Sequence, residues 1–205
     1  MSRVGRTVIQ IPSGVKVERD GALGSADTYL LSVTGPKGVL VQEIRSVITP
    51  EIRATDMVLN RANEESQTKA LHGLYNRLIQ NMIKGVTEGF TKTLILNGVG
   101  YKAAMKGEDL SLALGYSHPL EVKAESGIKF KICNPAEVQA MNLGKDGIGV
   151  VLQVSGASKE KVGAMASRIR DLRKVEPYHL YGVRYSNEHV IRKESKSGKK
   201  AGGKK

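Results

Sequence analysis

From Leu71 to Val86 the apolar residues fall at Leu71, Leu74, Tyr75, Leu78, Ile79, Met82, Ile83 and Val86, and this spacing limits what the chain can become more than any other feature. Steps of three and four align these side chains along one stripe of a helix, which needs an apolar cover. Ser66 or Thr68 is placed to cap its start, and Gly85 and Gly89 mark its end. Lys69, Asn76, Arg77, Asn81 and Lys84 are left for its polar side. The cover comes from upstream. Residues 29–33 and 39–41 are strand-like and flank Gly35-Pro36-Lys37-Gly38, whose composition suits a tight turn between antiparallel strands. Shorter strand-like runs follow at Val47-Ile48 and Met57-Val58-Leu59.

The second half repeats this plan. Strand candidates at 94–96, 110–114, 120–122 and 128–132 are separated by turns at Gly98, Gly107, Gly115 and Gly127. The strongest strand, residues 150–154, leads through Ser155-Gly156-Ala157 into a helix capped by Ser158, with Val162, Met165, Ala166, Ile169 and Leu172 on one face. Leu31-Ser32-Val33-Thr34-Gly35 and Leu152-Gln153-Val154-Ser155-Gly156 share the frame Leu-polar-Val-hydroxyl-Gly. Two strand-rich units, each closing with one amphipathic helix, suggest an ancient duplication. The domains are placed at residues 1–90 and 91–191, followed by a basic tail at 192–205.

Charge separates the two ends of the chain. Lys and Arg number 32 against 20 Asp and Glu, a net charge of +12. Residues 1–90 contribute +2, residues 91–158 contribute +1, and residues 159–205 contribute +9. Such a gradient points to a densely negative partner engaged by one end of the molecule; a solubilising tail is the competing account. With no Trp and only two Phe and seven Tyr, broad aromatic platforms for stacking a single strand are disfavoured. The single Cys133 excludes an internal disulfide and a multi-cysteine zinc site, and is consistent with a reducing compartment. No window reaches the roughly 18 apolar residues of a membrane span. The N-terminus has no apolar segment of the signal-peptide kind, so a cytosolic protein without a cleaved leader is expected.

Three motifs resemble functional signatures. Gly98-Val99-Gly100-Tyr101-Lys102-Ala103 matches the dinucleotide fingerprint in letters, but Gly107 leaves little room for the helix that binds the pyrophosphate. Gly35-Pro36-Lys37-Gly38 looks like a GXXG loop, which joins two helices, whereas strand-like segments flank this one. His72, His118, His179 and His189 show no metal-ligand spacing. His118 lies in Leu114-Gly115-Tyr116-Ser117-His118-Pro119, a glycine-to-proline loop that suits either an outward polar contact or a plain turn. No cofactor, metal, membrane or small-molecule substrate is expected.

The run Ala70-Leu71-His72-Gly73-Leu74-Tyr75-Asn76-Arg77-Leu78-Ile79-Gln80-Asn81-Met82, continued by Gly85-Val86-Thr87-Glu88-Gly89-Phe90, closely resembles the helix of the family of the sixth protein of the bacterial large ribosomal subunit. Gly98-Val99-Gly100-Tyr101-Lys102-Ala103, Leu114-Gly115-Tyr116-Ser117-His118-Pro119 and Gly182-Val183-Arg184-Tyr185 resemble the same family in the same order. The resemblance implies an α+β fold of two similar domains, each an antiparallel sheet packed against an amphipathic helix, and a structural, non-enzymatic component that binds large-subunit rRNA near its 3′ region, beside the sarcin–ricin loop and the stalk base. Neighbouring ribosomal proteins at the stalk base would be partners, and translational GTPases would pass close by. It also implies that the C-terminal domain makes most of the RNA contact. A free-standing RNA-binding regulator is the alternative, followed by an RNA- or nucleotide-modifying enzyme, for which no clustered titratable groups appear at motif spacing.

Recognition by shape and charge is therefore expected, with Lys37, Lys102, Lys159, Arg168, Arg173, Lys174 and Arg184 on phosphates. Arg192, Lys193, Lys196, Lys199 and Lys200 of the tail extend this set, and Ser117, His118, Tyr178 and Tyr185 add hydrogen bonds or stacking to exposed nucleotides. One segment departs from the family. Where its members usually read Arg-x-Pro-Glu-Pro-Tyr-Lys-Gly-Lys-Gly, this chain has Arg173-Lys174-Val175-Glu176-Pro177-Tyr178-His179-Leu180-Tyr181-Gly182. Two cations are lost there, together with the close approach that Gly allows. Tyr181 is left either to stack on an unpaired base or to pack within the protein.

Overall fold

A computed structural model describes residues 4–20, 27–141 and 149–194, apart from the side chains of Gln139 and Ala140. Two compact units emerge, one from Met1–Phe90 with Gly156–Lys159, the other from Thr91–Ser155 with the residues from Glu160 on.

The first unit contains β1 (Ile9–Gln10), β2 (Lys16–Asp20), β3 (Thr28–Gly35), β4 (Gly38–Arg45), β5 (Ile48–Ile52), β6 (Asp56–Arg61) and α1 (Ser66–Thr87). Its strands form two three-stranded sheets, ordered β2-β3-β4 and β1-β6-β5. β3 and β4 make the expected hairpin, with Gly35 paired to Gly38 around Pro36-Lys37. Leu31, Val33, Ile44, Ile48, Met57 and Leu59 are buried in one cluster with Tyr75, Ile79, Met82, Ile83 and Val86 of α1. Apolar strand faces thus provide the cover that the helical stripe requires.

Several details of α1 differ from the sequence reading. Glu65 occupies the N-cap position without a side-chain cap bond, Ser66 is the first helical residue, and Thr68 is buried. Gly85 lies within the helix; Gly89, at φ +80°, follows its C-terminal cap. Leu74 is 51% exposed. At 3.6 residues per turn it stands about 140° from Ile79, beyond the sheets' reach. Asn76, expected on the polar side, is fully buried. Its Nδ2 donates to the Gly5 carbonyl at 3.3 Å and the Thr7 carbonyl at 2.8 Å, so the helix holds the N-terminal segment through an amide. His72, also buried, donates from Nε2 to the Leu59 carbonyl at 3.0 Å.

The second unit contains β7 (Phe90–Asn97), β8 (Lys102–Lys106), β9 (Asp109–Ala113), β10 (Leu120–Val122), β11 (Ile128–Ile132), α2 (Pro135–Ala140), β12 (Val150–Gly156), α3 (Lys159–Leu172) and β13 (Gly182–Tyr185). Its sheets are ordered β10-β9-β8 and β11-β12-β7-β13. Val162, Met165, Ala166 and Ile169 of α3 are buried, as the periodicity predicts. The shared Leu-polar-Val-hydroxyl-Gly frame also behaves alike in both units. Leu31 and Val33 are completely buried, as are Leu152 and Val154, and each strand ends at the frame's glycine. No helix among the described residues is long and apolar enough to cross a membrane.

Candidate nucleic-acid interface

The interface candidates separate into those that the fold ties together and those it leaves apart. Lys37 sits at the β3–β4 turn, where its backbone N–H donates to the Val86 carbonyl at 2.9 Å and its ammonium donates to the Glu88 carbonyl. This cation completes the C-terminus of α1, where carbonyls lack helical partners. Lys159 belongs to the same unit, and its Nζ is 3.3 Å from Asn81 Oδ1. Arg168 is exposed on α3, 4.0 Å from Glu125 Oε1.

The segment after α3 gathers most of the others. The Tyr116 hydroxyl donates to the Leu172 carbonyl at 3.0 Å, which fastens the loop carrying exposed Ser117 and His118 to the end of the helix. The Arg173 guanidinium lies 5.0 Å from the centre of the Tyr116 ring, within cation–π range. Hydrogen bonding with Tyr116, then the nearby Tyr101, raises the Arg173 pKa, so its charge is secure. Arg192 Nε donates to the Tyr178 carbonyl at 3.1 Å, and the Lys193 backbone N–H donates to the Pro177 carbonyl at 2.9 Å. The chain leading into the basic tail is thereby pinned against residues 177–178. Arg173, Lys174, Arg192 and Lys193 are all exposed, as is Lys102 at the start of β8.

Between these groups lies a cavity of about 410 Å³, lined by Val99, Tyr101, Gly115, Arg173, Lys174, Glu176 and Tyr181. A Cβ on Gly98 would stand 2.6 Å from the Tyr101 ring, so the missing side chain is what lets that ring lie where it does. Gly98-Val99-Gly100 leads into strand β8 and not into a helix, which removes the dinucleotide reading. Tyr181 is 40% exposed and stacks on His179, with ring centres 5.5 Å apart and planes 18° from parallel.

Arg184 and Tyr185 are half-buried on β13. The Tyr185 ring lies 5.8 Å from the Arg170 guanidinium and 5.9 Å from the Lys92 ammonium. Arg184 Nε is buried and meets no hydrogen-bond partner. Beside them Arg170 grips Glu188 through two bonds of 3.0 and 2.5 Å, and the Tyr185 backbone N–H donates to the same carboxylate at 3.1 Å. Lys196, Lys199 and Lys200 lie outside the described residues. Tyr101, Tyr116 and Glu176 were not among the residues singled out from sequence. A tyrosine beside glycine in a loop next to a strand is the only signal that marked the first two.

Among the described residues no group of three His, Cys, Asp or Glu side chains is placed to hold a metal ion. Exposed Arg173, Lys174, Arg192 and Lys193 beside Tyr101 and Tyr116 in the second unit of an α+β chain are a grouping of the kind that polyanion-binding proteins use. Comparison with known proteins makes this specific: the family described as Ribosomal protein L6 matches residues 11–89 and again residues 97–186, and the chain belongs to that family. Two matches along one chain agree with a duplicated unit. The large ribosomal subunit protein uL6 of Clostridium novyi (strain NT) is 44% identical over 199 residues, covering 97% of this chain and all of the relative. Its counterpart from Mycoplasma capricolum is 40% identical over 200 residues, covering 98% of this chain and all of that protein. The Geobacter metallireducens protein of the same name is 43% identical over 200 residues, with the same coverage.

Proposed function

We propose that the chain binds large-subunit rRNA near its 3′ region, beside the sarcin–ricin loop and the stalk base, chiefly through its second unit. Membership of the ribosomal protein L6 family makes it a structural, ribosome-bound protein of the large subunit in the cytoplasm, and not an enzyme. The observation that supports RNA contact through the second unit is the gathering of Arg173, Lys174, Arg192 and Lys193 along one segment, with the Ser117-His118 loop fastened alongside; the region of the rRNA is what the family resemblance implies. Phosphates of folded RNA would meet these cations, while Ser117, His118 and Tyr178 reach exposed nucleotides. Lys102, Lys196, Lys199 and Lys200 extend the same charge. Lys37, Lys159, Arg168, Arg184 and Tyr185 take a lesser part, because the fold engages several of them internally. In this arrangement residues 1–90 and 91–191 act as successive domains and 192–205 as a basic extension. Neighbouring stalk-base proteins and passing translational GTPases would be its surroundings. Hydroxyl-radical footprinting of large subunits with and without the chain tests the placement. Protection is expected in the 3′ region around the sarcin–ricin loop, and a footprint confined to other rRNA domains would refute it.

A further inference from the structure

The cavity beside the cationic segment has chemistry more particular than its charge. Its volume of about 410 Å³ falls within the range of small-ligand sites, roughly 300–1,000 Å³. An inorganic anion would use Arg173 and Lys174 but would be repelled by the Glu176 carboxylate and would leave Tyr181 unused. An apolar side chain would desolvate all three charged groups without pairing them. A nucleotide engages every wall: a ring for its base, an acceptor for its edge and cations for its phosphate.

The Tyr181 wall is built in advance. His179 stacks on the ring, and Tyr181 lines the cavity. The Glu176 backbone N–H donates to the Tyr181 carbonyl at 2.8 Å, and the Leu180 N–H donates to the Glu176 carbonyl at 3.0 Å. Asn97 Nδ2 secures the Leu180 carbonyl from the side, at 3.2 Å. Leu180 itself sits at φ +62°, an uncommon conformation for leucine that these bonds hold in place. Glu176 is the one acid among the described residues lining the cavity. Its oxygens lie 3.3 and 3.4 Å from His179 Nδ1, long contacts that leave acceptor capacity. A carboxylate offers acceptors only, and guanine is the one standard base whose pairing edge carries two adjacent donors, N1–H and the amino group.

We propose that this cavity takes one unstacked guanine of the RNA, with its base against Tyr181, its N1–H and amino group on the Glu176 carboxylate, and its phosphate on Arg173 and Lys174. The proposal rests on the RNA-binding function argued above and adds to it a base that is read.

The test is an NMR titration of the full chain with GMP, AMP, CMP, UMP and inorganic phosphate. GMP is expected to shift Tyr181, Tyr101 and Val99 resonances with an affinity about tenfold above that of the other nucleotides. Glu176→Gln, almost the same shape, should remove that preference, and Tyr181→Ala should weaken GMP binding by a similar factor. Unchanged resonances of the buried Leu96 and Val183 would confirm that both variants fold. Equal responses to all four nucleotides, a match between phosphate and GMP, no response to any, or an unaltered preference in Glu176→Gln would overturn the proposal. In any of those events a parallel binding assay with a large-subunit rRNA fragment separates the failures. Salt-dependent binding retained means that only the guanine site is wrong; binding absent means that the RNA-binding function falls with it.

Discussion

Gly182 begins β13 at φ +140°, and a Cβ there would stand 2.6 Å from Val175 Cα and 2.7 Å from the Lys174 carbonyl oxygen. Neither backbone atom can move aside without shifting the segment that carries the cations. Gly182→Ala should therefore cost about 3 kcal/mol or more, read as a fall in the denaturation midpoint, and should weaken RNA binding with it. Two positions earlier the situation is inverted. Leu180 bears left-handed strain of about 1–2 kcal/mol, against which glycine's extra unfolded-state freedom weighs about 0.5–1 kcal/mol. Leu180→Gly relieves that strain but gives up the burial of a half-buried leucine side chain, so the net change should stay within about 1 kcal/mol, and a loss of about 3 kcal/mol, as expected for Gly182→Ala, would contradict this reading. Glu188 is held below its usual pKa of 4.5, first by hydrogen bonding from Arg170. Its stabilising contribution is present above that usual value and is lost as pH falls through the lowered one. Glu188→Gln should cost about 1–2 kcal/mol at pH 7, since the partners are partly exposed, and progressively less in denaturant titrations as pH falls below 4.5 through the lowered pKa.

Among the elements, α1 shows how far periodicity reaches. The stripe located the helix and most of its buried face, yet it also admitted Leu74 and assigned Asn76 to water. Leu74 matches the i, i+3, i+4 spacing but lies outside the arc that the two sheets cover. Asn76 matches the polar residues by type, and only the path of residues 5–7 across the helix explains its burial. Ile79→Ala should accordingly cost about 2–5 kcal/mol, whereas Leu74→Ala should stay within about 0.5 kcal/mol, measured by chemical denaturation. Comparable losses at both positions would mean that a partner or another part of the protein covers the outer face. β2 and β8 were not recognisable in the sequence because each is largely exposed, with side chains that show no clean alternation of apolar and polar. Around the cavity, Arg173 and Lys174 were singled out from the sequence as candidates and Tyr181 as a possible stacking residue, whereas Tyr101 and Tyr116 were not. Charge can be counted along a chain, but the meeting of Tyr101, Tyr116 and Tyr181 around Arg173 depends on loops distant in sequence.

For the molecule as a whole, a net charge of +12 acquires an address. The last 47 positions carry +9 of it, and the structure fixes the first part of that stretch through Tyr116, Tyr178 and Pro177. Removing residues 192–205 deletes seven cations and one acid. Affinity for RNA should fall and its salt dependence flatten; unchanged binding would reduce the tail to a solubilising role. The most direct measurement is the salt dependence of binding between the purified chain and a large-subunit rRNA fragment, compared with a variant in which Arg173, Lys174, Arg192 and Lys193 are replaced by glutamine. With about six phosphates contacted, log affinity against log salt should fall with a slope of about −4 to −5, and the variant's slope should move roughly three units toward zero. A slope near zero for the unaltered chain, or the same slope for both proteins, would contradict an RNA interface built on these residues.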